Sequence, residues 1–243
     1  MFPIFKKEIS AFFSSLIGYI VVGVFLVIMG LLLWVFPEFS ILDGNYANLD
    51  TLFQVAPMVF MFLIPAVTMR AFAEEKQSGT IELLVTRPIT DWQIVGGKFL
   101  ACFALAAFSL LPAGLYYFSV HQLGAPPGNL DSGGILGSMV GLLFLAAAFV
   151  SIGVFASALT NNQIVAFVLA TFLCFFVYLA FGFLSQLPIF WGKTDDIVQS
   201  LGIEHHYNSM SRGVLDSRDV IYFGSVISLF LAATVLSLGR RRW

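Results

Sequence analysis

His205 and His206 stand side by side after Glu204, the most obvious candidates for chemistry in this chain of 243 residues. Neighbouring side chains on a helix point about 100° apart, so the two do not chelate one ion together, and no further ligands surround them at metal-site spacing. No metal site is expected. The third histidine, His121, stands apart in another loop. Cys102 and Cys174 each sit inside an apolar run, where a free thiol acts as a small hydrophobe, and their separation is no disulfide framework. An intramembrane enzyme would need a nucleophile with a base, paired aspartates or His-Glu-x-x-His within a span, and the sequence offers none. Nor is there a Gly-x-x-x-x-Gly-Lys-Ser/Thr loop to cradle phosphates, so the chain is not expected to hydrolyse ATP.

The elements that carry these residues are overwhelmingly apolar. Hydrophobic residues make up 59% of the chain, aromatic residues 16% and charged residues only 11%, with 27 Phe and a mean hydropathy of +0.92. A soluble domain carries about 25% charge, and a water-soluble globule of this size could not hide so much apolar surface. The net charge of −2 gives no polyanion-binding signal, and no nucleic-acid partner is expected. The chain reads as an all-α integral membrane protein embedded in a lipid bilayer.

Six apolar stretches approach 20 residues, at 16–36, 55–73, 99–120, 135–159, 164–187 and 220–238. They do not alternate as barrel strands do, so transmembrane helices are expected, which pair every backbone group within their own segment. The first run is too long for a signal-peptide core and lacks a small-residue cleavage site, so it is expected to stay as a helix. Lys6, Lys7, Arg70, Lys76, Arg87, Lys98, Arg240, Arg241 and Arg242 fall on one side of this arrangement; only Lys193, Arg212 and Arg218 fall on the other. Nine against three places both termini in the cytoplasm. No acid, base or histidine lies in mid-span, which disfavours a proton relay or an ion-coupled secondary transporter. Arg70, near a span end, is expected to snorkel to the interface. Gly133, Gly137 and Gly141 recur every four residues and read as a helix-packing ridge, with Ser151 and Ser157 further along the same helix. Pro57, Pro65 and Pro112 are expected to kink their spans.

Three segments outside the spans have structure of their own. In residues 1–15, Phe2, Phe5, Ile9, Phe12 and Phe13 recur at helical spacing with Lys6 and Lys7 on the other face, which predicts an amphipathic interfacial helix. In the cytoplasmic segment 74–98, Ile81, Leu84 and Val85 stand at i, i+3 and i+4 and predict a short helix that Pro88 stops. A second helix then starts at a capping box of Thr90 and Gln93, with Asp91 at its positive end and Ile89 able to staple to Ile94. Two capped helices around a fixed elbow predict a rigid lever. The outer segment 188–219, with Trp191, Tyr207 and Met210, predicts one or two short helices over the external mouth.

The stretch Glu74-Glu75-Lys76-x-Ser78-Gly79-Thr80-x-Glu82-Leu83-Leu84, followed by Pro88-Ile89, Ile94 and Lys98, resembles the signature of type-2 ABC exporter permeases, and the topology resembles that family along the whole chain. Phe5-Lys6-Lys7-Glu8-Ile9, leading into Ile17-Gly18-Tyr19, is most similar to the gliding-motility permeases of Bacteroidota, the GldF group; so is the stretch from Ser211 to Tyr222. The resemblance implies a single permease domain over 1–243 with six transmembrane helices and an N-terminal connecting helix that includes Phe5, Lys6, Lys7 and Ile9. It implies a coupling helix between spans 2 and 3, with Glu75, Ser78, Gly79, Thr80, Glu82, Leu83, Leu84, Pro88, Thr90, Ile94 and Lys98 at the interface with an ATPase. Short external helices between spans 5 and 6 would carry Arg212, Gly213, Asp216, Arg218 and Asp219. It further implies a bacterial inner-membrane location, no cofactor in this chain, and ATP and Mg held by a separate, GldA-like ABC ATPase. The remaining partners would be a second permease copy and a GldG-like accessory membrane subunit with a periplasmic domain. The apolar spans are equally compatible with export of an amphipath and with a subunit that moves no cargo and transmits force to periplasmic partners.

Overall fold

The computed structural model describes residues 1–41, 46–81, 88–124, 126, 128–187 and 195–239. Among them there is no strand, and eleven α-helices follow one another: α1 (Phe2–Ser14), α2 (Leu16–Trp34), α3 (Asp50–Thr68), α4 (Arg70–Gln77), α5 (Asp91–Leu110), α6 (Ala113–Leu123), α7 (Ser132–Leu159), α8 (Gln163–Ser185), α9 (Asp195–Gln199), α10 (Ile203–Met210) and α11 (Ser217–Gly239). Five stretches are long and apolar enough to cross a membrane: Asp50–Gln77, Asp91–Leu123, Ser132–Leu159, Gln163–Ser185 and Ser217–Gly239. The pair Phe2–Ser14 and Gly18–Trp34, bent by 66°, passes the same test only when taken together; counted as one, it is a sixth.

These helices outrun the apolar runs in the sequence. The stretch that starts at Asp50 continues to Gln77 and the next begins at Asp91, because backbone hydrogen bonding does not stop where hydrophobicity does. Charged residues therefore ride on span-length helices. Glu74, Glu75 and Lys76 lie on α4, Lys98 at the start of the third turn of α5, and Asp219 on the first turn of α11.

The prolines act differently from one another. Pro57 and Pro65 are accommodated inside α3, and the break comes later, at Met69, between α3 and α4. Pro112 stands at the N-cap of α6, where the stretch Asp91–Leu123 divides in two, a position that needs no N–H.

α7 is the central helix: α3, α4, α5, α8, α10 and α11 all pack on it. Its sequence explains why. Gly, Ala and Ser occupy much of its surface, and small side chains let neighbouring backbones come close where lipid supplies no hydrophobic drive. At Gly153 a Cβ would lie 2.0 Å from Thr68 Oγ1, so α3 crosses here against bare backbone. Along the ridge, a Cβ on Gly137 would meet the Gly213 carbonyl oxygen at 2.4 Å, and one on Gly141 would meet Met210 Cβ at 2.7 Å. The ridge thus seats the segment after α10. Gly133 touches only the capping Asp131 of its own helix, and the third close approach is made by Gly134, 2.5 Å from where a Cβ on Gly213 would stand.

α1 packs on α5 and α2. It buries Ile4 and Phe12, holds Phe5, Ile9 and Phe13 against the core, and leaves Phe2 exposed. Four of the five residues that the spacing groups on one face thus meet the core, and Ile4 joins them over Gly97 of α5, which offers no side chain of its own.

Candidate functional site

The two helices flanking residues 78–90 are finished by local chemistry. α4 ends at Ser78, whose N–H donates to the Glu74 carbonyl at 3.0 Å, and Gly79 follows with φ +71°. That left-handed conformation is one an L side chain resists, and it is the usual way to close a helix. Ser78 Oγ donates to the Glu74 carbonyl at 2.9 Å and lies 2.9 Å from Thr80 Oγ1, so Ser78, Gly79 and Thr80 together form the terminus. On the far side, Thr90 Oγ1 accepts from the Gln93 N–H at 3.4 Å and Gln93 Oε1 accepts from the Thr90 N–H at 3.3 Å, a complete capping box. Ile94 is buried beyond it and Pro88 is exposed. Glu82, Leu83 and Leu84, with Val85, Thr86 and Arg87, lie outside the described residues.

A closed ion cluster ties these two helices to α1. Lys98 Nζ on α5 lies 2.9 Å from Glu8 Oε1 on α1 and 2.9 Å from Glu75 Oε2 on α4. Lys7 Nζ on α1 donates to the other Glu75 oxygen at 2.9 Å and lies 3.7 Å from Glu8. The Lys98–Glu8 contact is a well-aligned hydrogen bond, whereas Glu75 Oε2 receives charge from Lys98 without an aligned donor. Two cations and two carboxylates cancel. The balance matters because the Lys98 side chain is only 2% exposed, and an isolated buried charge costs several kcal/mol of desolvation. Phe72 adds its ring face 5.2 Å from the same ammonium. α5 begins early enough, at Asp91, to carry Lys98 inside the bundle. Lys6 stays exposed, and Arg70 makes a bidentate pair with Glu74 at 2.8 and 2.9 Å along its own helix.

The break beside this cluster is pinned from α7. Ser157 Oγ accepts the N–H groups of Phe72 and Ala73 at 3.0 Å each and donates to the Met69 carbonyl at 2.9 Å. The first N–H groups of a helix have no partner within it, and here a hydroxyl from another helix supplies one. Lys76 Nζ also reaches α7, donating to the Ala158 carbonyl.

At the opposite end of the bundle, the buried Tyr207 of α10 donates to the Phe53 carbonyl of α3 at 2.6 Å, and Ser138 of α7 donates to the Ser211 carbonyl at 2.8 Å. Gly213 turns with φ +83° against α7. Arg212 lines a polar cavity of about 570 Å³ with Asp50, Gln54, Asn208 and Ser211. Asp216 Oδ1 accepts the Arg218 N–H at 2.9 Å and so opens α11. Asp219 lies on that helix rather than in a loop, buried against His206. No cluster of three or more His, Cys, Asp or Glu side chains fit to hold a metal occurs among the described residues.

Neither Glu8 nor Ser157 is singled out as a site residue by sequence. Glu8 is one acid on a helix chosen for its aromatics, and Ser157 reads as one more small packing residue. A lone acid between Lys7 and an apolar face was the available signal for the first; the second had none.

These features accompany a clear family match. A family model described as ABC-2 family transporter protein matches residues 43–198. No curated protein matches the chain.

Proposed function

The chain belongs to the ABC-2 transporter family and is a membrane permease subunit of an ABC transporter; we propose that a separate ATPase drives it through the elbow at residues 78–94. Family members are membrane subunits without catalysis of their own that pair with an ABC ATPase and dimerise. The observation that carries the proposal is the ion cluster. Lys7, Glu8, Glu75 and Lys98 join α1, α4 and α5 at the roots of the elbow, so a push on the elbow reaches three helices together rather than bending one. ATP and Mg bind the partner, its closure displaces the elbow, and the bundle shifts between two states in proportion to its differential contact with each. In this reading the elbow and both termini face the cytoplasm across a bacterial inner membrane, α1 is the connecting helix, and two permease copies stand over two ATPase subunits.

The assignment to the gliding-motility type, with GldA-like and GldG-like partners, rests on the shorter motifs around Phe5–Ile9 and Ser211–Tyr222. Copurification from native membranes tests it, with an ATPase and a large periplasmic-domain subunit as the expected companions. The docking assignment is tested by Leu83→Asp with Leu84→Asp. The variant should insert normally and lose both ATPase capture and function; wild-type capture and function would show that the ATPase docks elsewhere.

A second reading, that the subunit passes force outward without moving cargo, is favoured by the opposite end. There α10 and the segment after it are bonded to α3, α7 and α11, so span motion is carried straight into them. Stimulation of ATP hydrolysis by a candidate amphipath in proteoliposomes separates the readings.

A further inference from the structure

Beyond the break at Leu111 and Pro112, α6 stands off from the helices around it. Two tyrosines bridge the gap. Tyr116 donates to the Leu26 carbonyl of α2 at 3.0 Å, and Tyr117 Oη lies 2.9 Å from Ser132 Oγ at the start of α7. Beside the second contact, a cavity of about 320 Å³ separates α6 from α3 and α7. Leu52 and Phe53 of α3, Ala113 and Gly114 of α6, and Ile135 and Met139 of α7 form its walls. Among the described residues, a Cβ on Gly114 would meet no atom within 4 Å, so α6 brings bare backbone to this open space.

The cavity suits hydrocarbon and not water. A buried water needs two to four polar partners, and the lining side chains offer one hydroxyl pair, Tyr117 and Ser132, already bonded to each other. An unfilled void forfeits dispersion contacts along its whole lining, and this one is about twice the size of an apolar protein cavity of about 150 Å³ that takes up benzene. Its mouth opens sideways. Leu136 of the lining is 68% exposed, and Leu111 and Leu115, before and after Gly114, are 68% and 65% exposed. The space is therefore continuous with the apolar, lipid-facing surface of the span-length helices. Ser132 begins α7 and Met139 follows on its second turn or just past it, about 10 Å along the axis, against a hydrocarbon core about 30 Å thick. The rim thus falls near the headgroups, a level that tyrosines favour, and the floor lies within one leaflet. Of the two rim hydroxyl hydrogens, one is spent on their mutual contact. The other is placed to meet an acceptor such as an acyl ester carbonyl.

We propose that this cleft is a lipid site. One acyl chain of a bilayer phospholipid enters between Gly114 and Leu136, fills the space that separates α6 from α3 and α7, and leaves its ester at the Tyr117 and Ser132 hydroxyls. The chain supplies the packing that α6 lacks, so the lipid is a structural part of the end of the bundle remote from the elbow. The proposal is independent of how the elbow is driven and of any cargo; it needs only that these helices stand in a bilayer.

The test uses the full-length chain in nanodiscs containing a phosphatidylethanolamine with a diazirine on its palmitoyl chain. After illumination, labelled peptides should map to residues 49–53, 113–117 and 132–139 in several-fold excess over the exposed α8 face around Phe172. Gly114→Leu and Ile135→Trp fill the space from opposite walls. Each should abolish that excess and leave labelling around Phe172 unchanged, and because the walls are independent, a variant that misfolds leaves the other to decide. Deuterium uptake of residues 113–123 gives a second readout, in a sterol-based detergent that has no acyl chain of its own. Added phosphatidylethanolamine should slow uptake in wild type and have no effect in the filled variants. Labelling of the cleft no denser than around Phe172, the result if a second copy of the chain filled the mouth, would overturn the site. So would an excess that persists in the filled variants, or a wild-type α6 whose uptake ignores the added lipid.

Discussion

The Lys98 ammonium stands 2.9 Å from Glu8 of the N-terminal helix, across 90 residues of sequence, and is almost wholly shut off from solvent. An ion pair in that position is weak evidence for stability, since desolvation offsets much of the attraction. Its consequence is asymmetry: removing one member is far more costly than removing the set.

Lys98→Met should therefore destabilise the chain by about 3–5 kcal/mol, leaving two carboxylates, Glu8 and Glu75, to share the single cation of Lys7. Adding Glu8→Gln and Glu75→Gln to it should recover most of that loss. Thermal unfolding of the three proteins in detergent checks both halves, and a triple variant no better than the single one would mean the cluster is not a balanced unit.

The α3–α4 break should be sensitive to changes on α7, not only to its own sequence. Ser157→Ala strands two N–H groups and a carbonyl and should cost about 1–3 kcal/mol. Gly153→Ala places a methyl 2.0 Å from Thr68 Oγ1 and should cost at least about as much by overpacking. Denaturant unfolding of both variants, with Gly224→Ala as a control where no atom lies within 4 Å of the added Cβ, measures the difference.

Gly79→Ala isolates the backbone term at the elbow. Among the described residues no atom lies within 4 Å of the new Cβ, so the cost there is that of the left-handed conformation, about 1–2 kcal/mol. Unfolding should shift only slightly, while exchange of the Glu74–Ser78 amides should speed up, as measured by deuterium uptake.

Glu204 supplies a pH dependence of its own. Burial raises its carboxyl above the ordinary range. The folded state then binds its proton more readily than the unfolded chain, so this group lowers stability as pH rises through the carboxylate range. Glu204→Gln should raise the melting temperature at neutral pH and lose that advantage in acid. A series of melting curves from pH 3 to about pH 8, run on both proteins, would show the two converging at the acid end.

Much of this architecture is readable from composition. Apolar length locates the span-length helices, and Thr90 with Gln93 announces the start of α5 because a capping box is written in two residues three positions apart. Charge is less legible. Lys98 looks like a surface lysine since its partners, Glu8 and Glu75, are distant in sequence and no local pattern records that three helix ends converge. The same holds for Ser157, whose role depends on a break at Met69 that the prolines at 57 and 65 do not mark. His206 illustrates the converse: adjacent histidines invite a metal reading, while its working partner lies 13 residues on.

One further implication concerns the turn at Met69. The hydroxyl that holds it belongs to a different helix, so the break is not a portable property of residues 50–77. Excised from its neighbours, that segment should close up into one uninterrupted helix, and the chain acquires its break only once residue 157 has arrived to complete it.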